Sequence, residues 1–292
     1  MERRLFCIVN PIAGSGRAKD AYFKARAYLL ENGVSCEAVF TERHGHAAEL
    51  AREALLRGER AIVAVGGDGT CQEVGSALVE SGAAFGILPF GTGNDFARAL
   101  QIPQGVEAAA DVLLKGEAKR VDAAMANDRF FLNVAGFGFD AEVVRYTEKY
   151  KKRFNGMFPY LMGIFQALLH LKPIEMEVEA GGERFLEKAT LFSACNGTHL
   201  AGGMNLAPLA DPCDGLFDFC VVKAVSVPVF LTILPRYIKG KHLSSPHIRY
   251  FKAEGARVTC NGAHVLNLDG ELGTQTPVTF SLLKGALNIF VP

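Results

Sequence analysis

Asp68 stands among glycines in the run Gly66-Gly67-Asp68-Gly69-Thr70, where a carboxylate can act on a ligand rather than merely face water. The glycines let bare backbone N–H groups approach a ligand closely. Ala61 to Val65, five apolar residues just before them, read as a strand buried on both faces. Cys71 to Glu80 reads as a helix. Thr70 and Glu73 have capping-box spacing, which turns the helix start toward whatever the glycines hold. Strand, glycine turn and helix start together form an anion site, most often for phosphate. A lone carboxylate repels phosphate. Asp68 suits such a site if a divalent cation lies between them, or if it accepts a proton or hydrogen bond from a hydroxyl.

Three further strand ends carry similar residues. Leu5 to Val9 runs into Asn10-Pro11 with Gly14 and Gly16; Cys36 to Phe40 ends at Thr41; Phe85 to Leu88 runs into Gly91-Thr92-Gly93-Asn94-Asp95. Between them lie helices with apolar faces: Ala18, Ala21, Tyr22, Ala25 and Leu29 on one, Ala47, Leu50, Ala51, Ala54 and Leu55 on the next. Phe96 to Leu100 and Val106 to Leu114 read as two short helices. Strands alternating with helices imply a doubly wound parallel sheet, whose ligands bind beyond the carboxyl ends of its strands. Four polar or glycine-rich ends on one edge predict a shared site. The sequence contains no GxxxxGK[ST], and Gly14-Ser15-Gly16 lacks the third glycine of a dinucleotide fingerprint.

The 292 residues suit two domains, and 49% hydrophobic content supplies real cores. Lys plus Arg and Asp plus Glu each number 31, which argues against a nucleic-acid binder relying on bulk charge. Seven cysteines without a CxxC pair suit free thiols in a reducing cytoplasm better than disulfides or zinc. The charged N-terminus enters a strand at once, so no signal peptide is expected. After Lys119 the pattern changes to short strands and turns. Asn127-Asp128, Gly181-Gly182, Asn261-Gly262 and Lys284-Gly285 all read as hairpin turns. One helix is expected there, from about Asn155 to Leu171.

Gly66 to Thr70 joined to Gly91-Thr92-Gly93-Asn94-Asp95-Phe96-Ala97-Arg98 resembles the diacylglycerol kinase family, which includes bacterial lipid kinases and, more distantly, sphingosine and ceramide kinases. NAD kinases share the first motif and phosphofructokinases carry a close relative; the second is much more specific. The resemblance extends to Asn133 to Asp140, Asp211 to Leu216 and Asp269-Gly270-Glu271, and so covers nearly the whole chain. It implies an N-terminal α/β domain of the NAD kinase and phosphofructokinase type, placed at residues 1–121. An antiparallel β-sandwich at 122–292 would follow, its last strand packing back on the first domain, with the active site in the cleft between the two.

By that resemblance the activity is ATP-dependent phosphorylation of a lipid hydroxyl. ATP would meet Asn10, Pro11, Ile12, Ala13, Gly14, Thr41, Gly66, Gly67, Asp68, Gly69, Thr70, Glu73, Thr92 and Asn94. Glu271 would be the catalytic base, with Asp68 orienting magnesium or its waters. Asp95 and Asp122 would form a network bracing the cleft. A structural Mg2+ would take the Asp214 side chain together with Asp211 and Leu216. Diacylglycerol is the first choice of acceptor; phosphatidylglycerol, undecaprenol-like alcohols and sphingoid bases are alternatives. An NAD kinase-like activity and a silent lipid- or nucleotide-binding regulator are the competing readings. A cytoplasmic protein resting on the membrane surface would need a docking face. Lys149, Lys151, Lys152 and Arg153 before Phe154, and Arg236, Lys239 and Lys241 after another apolar stretch, suit one; a solvated charge run leading into a core helix is the other reading of them. Unpaired sheet edges leave room for a homodimer.

Overall fold

The computed structural model describes residues 4–151, 153–154 and 158–292. Lys152 of the basic run and Asn155, where the expected helix opens, lie outside the described residues. The chain divides into two compact units. The first comprises residues 1–123, 212–214 and 283–292, the second residues 124–211 and 215–282.

The first unit opens with β1 (Arg4–Val9), α1 (Arg17–Glu31), β2 (Ser35–Phe40), α2 (His46–Leu56), β3 (Ala61–Gly66) and α3 (Asp68–Leu78). It continues through β4 (Ala84–Pro89), α4 (Asp95–Ala99), α5 (Val106–Lys115) and the start of β5 (Glu117–Ala126). β1, β2, β3 and β4 are parallel, in the spatial order β4-β3-β1-β2. Leu5, Cys7, Val9, Val63 and Val65 pack with Ala18, Tyr22, Ala25 and Leu29 of α1 and Ala109, Ala110 and Leu113 of α5. Their alternating neighbours Phe6, Ile8, Ile62 and Ala64 are equally buried, as a strand covered on both faces requires.

The second unit takes the rest of β5, then β6 (Arg129–Phe131), β7 (Val134–Gly138), α6 (Phe139–Lys151), α7 (Phe158–Leu169), β8 (Ile174–Ala180) and β9 (Glu183–Cys195). β10 (His199–Leu200), β11 (Met204–Asn205), β12 (Phe217–Lys223), α8 (Val227–Ile238), β13 (Ile248–Ala253) and β14 (Gly255–Cys260) follow. β15 (Val265–Leu268), β16 (Glu271–Gln275) and β17 (Val278–Val291) complete the chain. Its main ladders are antiparallel: β9 pairs with β7, β8 and β12, and β14 lies between β8 and β17. Phe131, Phe137, Phe192, Phe217, Phe219 and Phe280 fill the sandwich core. Phe137 and Phe192 stack at 5.2 Å between ring centroids. Alternation along β9 sends Phe192 and Ala194 into this core, and Leu191 and Cys195 toward a second core shared with α6, α7 and α8.

Several local expectations need correcting. Gly181-Gly182 does close a two-residue hairpin, with both φ angles positive, and Asn127-Asp128 closes another. Asn261-Gly262 instead leads from β14, which pairs with β8 and β17, to β15, which pairs with β7 and β16. Lys284-Gly285 lies inside β17. Gly285, at φ 56°, bends one continuous strand rather than joining two. The second half also holds three helices among its described residues rather than one. α8 accommodates Pro228 near its start, where no N–H is needed, and Pro235 within it.

Candidate active site

Register brings the four strand ends to one edge of the first unit's sheet. Val9 lies opposite both Phe40 and Val65, Val65 opposite Leu88, and Gly66 opposite Pro89. Asn10, Thr41, Gly67 and Gly91 therefore emerge side by side. They open a cleft of about 400 Å³ lined by Asn10, Ile12, Ala13, Gly14, Thr41, Gly67, Gly69, Thr70, Glu73 and Thr92, ten of the fourteen nucleotide residues expected. Glu42, Arg43, His44, Ala47 and Gly91 complete it.

The glycines are there because backbone meets backbone. A Cβ on Gly91 would sit 2.2 Å from Gly67 Cα, and one on Gly14 would sit 2.4 Å from Phe90 O. The loops after β1, β3 and β4 thus touch main chain to main chain. Asn10 Nδ2 donates to Thr70 Oγ1 at 3.2 Å, tying the first loop to the start of α3.

The remaining expected nucleotide residues support the cleft from behind. Asp68 Oδ1 accepts the Phe96 N–H at 3.2 Å and so caps α4. Asn94, which occupies the cap position of that helix, is turned inward: its Oδ1 accepts the Gly91 N–H, and its Nδ2 donates to Pro89 O and Gln104 Oε1. It holds the loop after β4 in shape. Pro11 follows β1 in a turn, and Gly66 closes β3 against Thr70. Asp95 is buried at the start of α4. Asp122, buried in β5, accepts the Gly285 N–H at 2.6 Å, while its own N–H donates to Pro212 O at 2.7 Å.

The expected capping box within α3 does not form. α3 begins earlier, at Asp68, and Glu73 reaches sideways to accept the N–H groups of Gly45 and Ala47 at 2.8 and 3.0 Å. It caps α2 instead and also meets His44 Nδ1 at 3.2 Å. Glu42 and Arg43 are cleft residues that sequence reasoning passed over. Their signal was position alone, directly after Thr41 and before α2. Among the described residues no lysine lines the cleft; Arg43 is paired with Glu49, and Glu42 and Glu73 are acidic.

In the second unit, Asp269-Gly270 forms the two-residue turn between β15 and β16, with φ angles of 51° and 100°. The Asp269 carboxylate accepts three backbone N–H groups, from Leu132, Asn133 and Val134, at 2.6–3.0 Å. This clamp fixes the turn, and sequence reasoning did not assign it. Glu271, next in the chain and half-buried, has no hydrogen-bonded or ion-paired side-chain partner among the described residues. It is the uncommitted acid of the motif. Asp211 and Asp214 are exposed and Leu216 is half-buried, in a turn where Gly215 takes φ 72°. Among the described residues no cluster of three or more His, Cys, Asp or Glu could hold a metal by side chains alone.

The second unit also contains an apolar cavity of about 280 Å³, walled by Phe139, Tyr160, Ile164, Leu191, Phe230 and Ile233 among others. Its polar lining includes Asp140 and Asn267, whose Nδ2 donates to Asp140 Oδ2 at 3.3 Å. Burial lifts the Asp140 carboxyl to about 6.

Residues 4–126 match the family model described as the diacylglycerol kinase catalytic domain. Residues 133–291 match the YegS C-terminal NAD kinase beta sandwich-like domain. The chain is 32% identical over 297 residues to the diacylglycerol kinase of Bacillus subtilis (strain 168), covering 99% of this chain and 97% of that one. It is 31% identical over 294 residues to the diacylglycerol kinase of Staphylococcus aureus (strain bovine RF122 / ET3-1), covering 100% and 93%. A crystal structure of a diacylglycerol kinase from Bacillus anthracis str. Sterne, 25% identical, superposes with a TM-score of 0.78 over 100% of this chain and 97% of that one. With the fold and the cleft, these matches define a phosphotransferase with an alcohol group as acceptor. More narrowly, the chain belongs to the diacylglycerol kinase family.

Proposed function

We propose that this protein transfers the γ-phosphoryl group of ATP to the free hydroxyl of diacylglycerol, giving phosphatidic acid. The observation that carries the reading is the glycine-built cleft on the carboxyl edge of the first unit's sheet. It would offer a triphosphate the N–H groups of the first turn of α3. The apolar cavity of the second unit suits an acyl chain, and the half-buried Asp140 in its lining offers a polar group to a lipid hydroxyl.

Phosphoryl transfer asks a protein mainly for positioning and charge stabilisation. A cleft with no lysine among its described residues leaves most of a triphosphate's charge to be offset by a cation arriving with the nucleotide. Mg2+ would supply that charge. In the turn from Asp211 to Leu216 a second ion would find the carboxylates of Asp211 and Asp214 and main-chain carbonyls beside the exposed Cys213 thiol; the oxygens alone fit a hard divalent cation. Glu271 would take the proton from the attacking hydroxyl, a role suited to a carboxylate with no other partner. Asp68, held by the α4 N-terminus, would orient the nucleotide's cation or its waters.

The test is incubation with radiolabelled ATP and Mg2+, offering diacylglycerol in mixed micelles or NAD in turn. Labelled phosphatidic acid is expected. Labelled dinucleotide, or no labelled product with any lipid, overturns the reading. Glu271→Gln should lower kcat by about 10²–10⁴-fold while leaving nucleotide affinity and melting temperature unchanged. Unchanged turnover would remove Glu271 from the mechanism.

A further inference from the structure

α7 presents three distinct faces. Pro159, Gly163 and Ala167 are buried. Gly163 lets the helix lie directly on α6, because a Cβ there would come within 2.3 Å of Thr147 Oγ1 and 2.8 Å of Val143 O. Tyr160 and Ile164 line the apolar cavity. The third face is Phe158, Leu161, Phe165 and Leu169, spaced at three and four residues, each about half exposed or more. α8 repeats the arrangement. Ile233, Leu234 and Tyr237 line the same cavity, Val227 and Leu231 are exposed, and Ile238 does both. Scattered exposed apolar residues need no explanation, but a continuous stripe backing onto a cavity does.

Charge says what covers this face. The protein as a whole is neutral, with 31 acids in 292 residues, yet residues 149–174 and 219–253 contain no Asp or Glu and carry eleven Lys or Arg. Lys149 and Lys151 close α6, Arg153 follows, and Arg236, Lys239 and Lys241 lie at the end of α8. All six are exposed, and among the described residues none has an ion-pair partner. Long cationic side chains beside exposed Phe and Leu match an anionic bilayer, where the ammonium and guanidinium groups meet lipid phosphates and the apolar stripe enters the acyl boundary.

The geometry points to α7 and α8 as a membrane-inserted portal, through which an acyl lipid passes from an anionic bilayer directly into the cavity that the two helices wall. This rests on the lipid-kinase reading for the identity of the guest, but not for the docking itself.

Flotation of the full chain with two kinds of vesicle tests it, one of phosphatidylcholine alone and one of phosphatidylcholine mixed equally with phosphatidylglycerol. Binding to the mixed vesicles and little to the neutral ones is expected. Lys149→Gln with Lys151→Gln should weaken binding about thirtyfold. Leu161→Ser with Phe165→Ser should weaken it more than tenfold. Both double variants alter exposed side chains and should keep the wild-type melting temperature. In a kinase assay they should lose activity toward diacylglycerol in vesicles and retain it toward a short-chain diacylglycerol free in solution. Equal binding to neutral vesicles, or undiminished binding by both double variants, overturns the portal. If the wild type binds mixed vesicles but phosphorylates no lipid in either format, the kinase reading fails while the docking surface stands.

Discussion

Gly91→Ala puts the architecture of the nucleotide cleft under direct strain. The added methyl would lie 2.2 Å from Gly67 Cα, 2.9 Å from Gly67 N and 2.8 Å from Asn94 Oδ1, where ordinary contact begins near 3.4 Å. Two of these neighbours are backbone, so no side-chain rotation relieves them, and the loops after β3 and β4 must part by about 1 Å. Overpacking of this kind costs roughly 1–3 kcal/mol. At about 2–4 °C per kcal/mol for a unit of this size, the melting temperature should fall several degrees. A displacement of about 1 Å between groups that position a substrate costs on the order of 10²-fold in rate. Gly69→Ala is the companion. A Cβ there meets nothing within 4 Å, and the residue sits in the first turn of α3, so stability should hold or rise by up to about 1 kcal/mol. Gly69 nevertheless lines the cleft, so ATP affinity should drop. Scanning calorimetry with steady-state kinetics separates the two effects. Wild-type melting and kcat/KM in Gly91→Ala would refute the argument that backbone contact shapes the cleft. Wild-type ATP affinity in Gly69→Ala would refute the claim that bare main chain meets the ligand.

Glu73→Ala removes the acceptor for two N–H groups at the start of α2; a loss of about 1–2 kcal/mol in chemical denaturation is expected, together with weaker ATP binding as the Arg43-His44 segment loosens. Asp140 sets a pH dependence. Its folded-state value, about 6, lies above the ordinary carboxyl value, so between about pH 4 and 6 the folded protein binds more protons than the unfolded chain and stability falls as pH rises. The gap corresponds to roughly 3 kcal/mol at neutral pH. Asp140→Asn should therefore raise the melting temperature at pH 7 and flatten its decline between pH 4 and 6. A variant less stable than wild type at pH 7 would contradict this.

The sequence was most readable where one strand carried the whole signal. The unbroken apolar runs of β1, β3 and β4 revealed a sheet covered on both faces, and parallel register then placed Asn10, Thr41, Gly67 and Gly91 together. What it hid were pairings between distant segments. Thr70 and Glu73 look like a local box, yet Glu73 bonds to N–H groups 26 and 28 residues away. Asn94 looks like the cap of α4, yet Asp68 supplies it from 28 residues upstream. Asp269 reads as an ordinary acidic turn residue, and its three N–H partners lie more than 130 positions earlier. α8 was obscured by Pro235, which argues locally against a helix that packing of Phe230, Ile233 and Tyr237 sustains. Lys284-Gly285 carries turn chemistry, but β17 runs on through the bend, paired with β14 before it and with β4 after it.

That bent strand bears on how the protein is made. β17 pairs antiparallel with β14 through Val278 to Ser281, then parallel with β4 through Asn288 and Ile289. Translation delivers β1 to β4 first, yet the outer edge of β4 waits for Asn288 and Ile289, which are made much later. The amino-terminal fold is therefore finished only once that late segment has emerged, and a nascent chain stalled before residue 288 carries an open parallel edge for chaperones to guard.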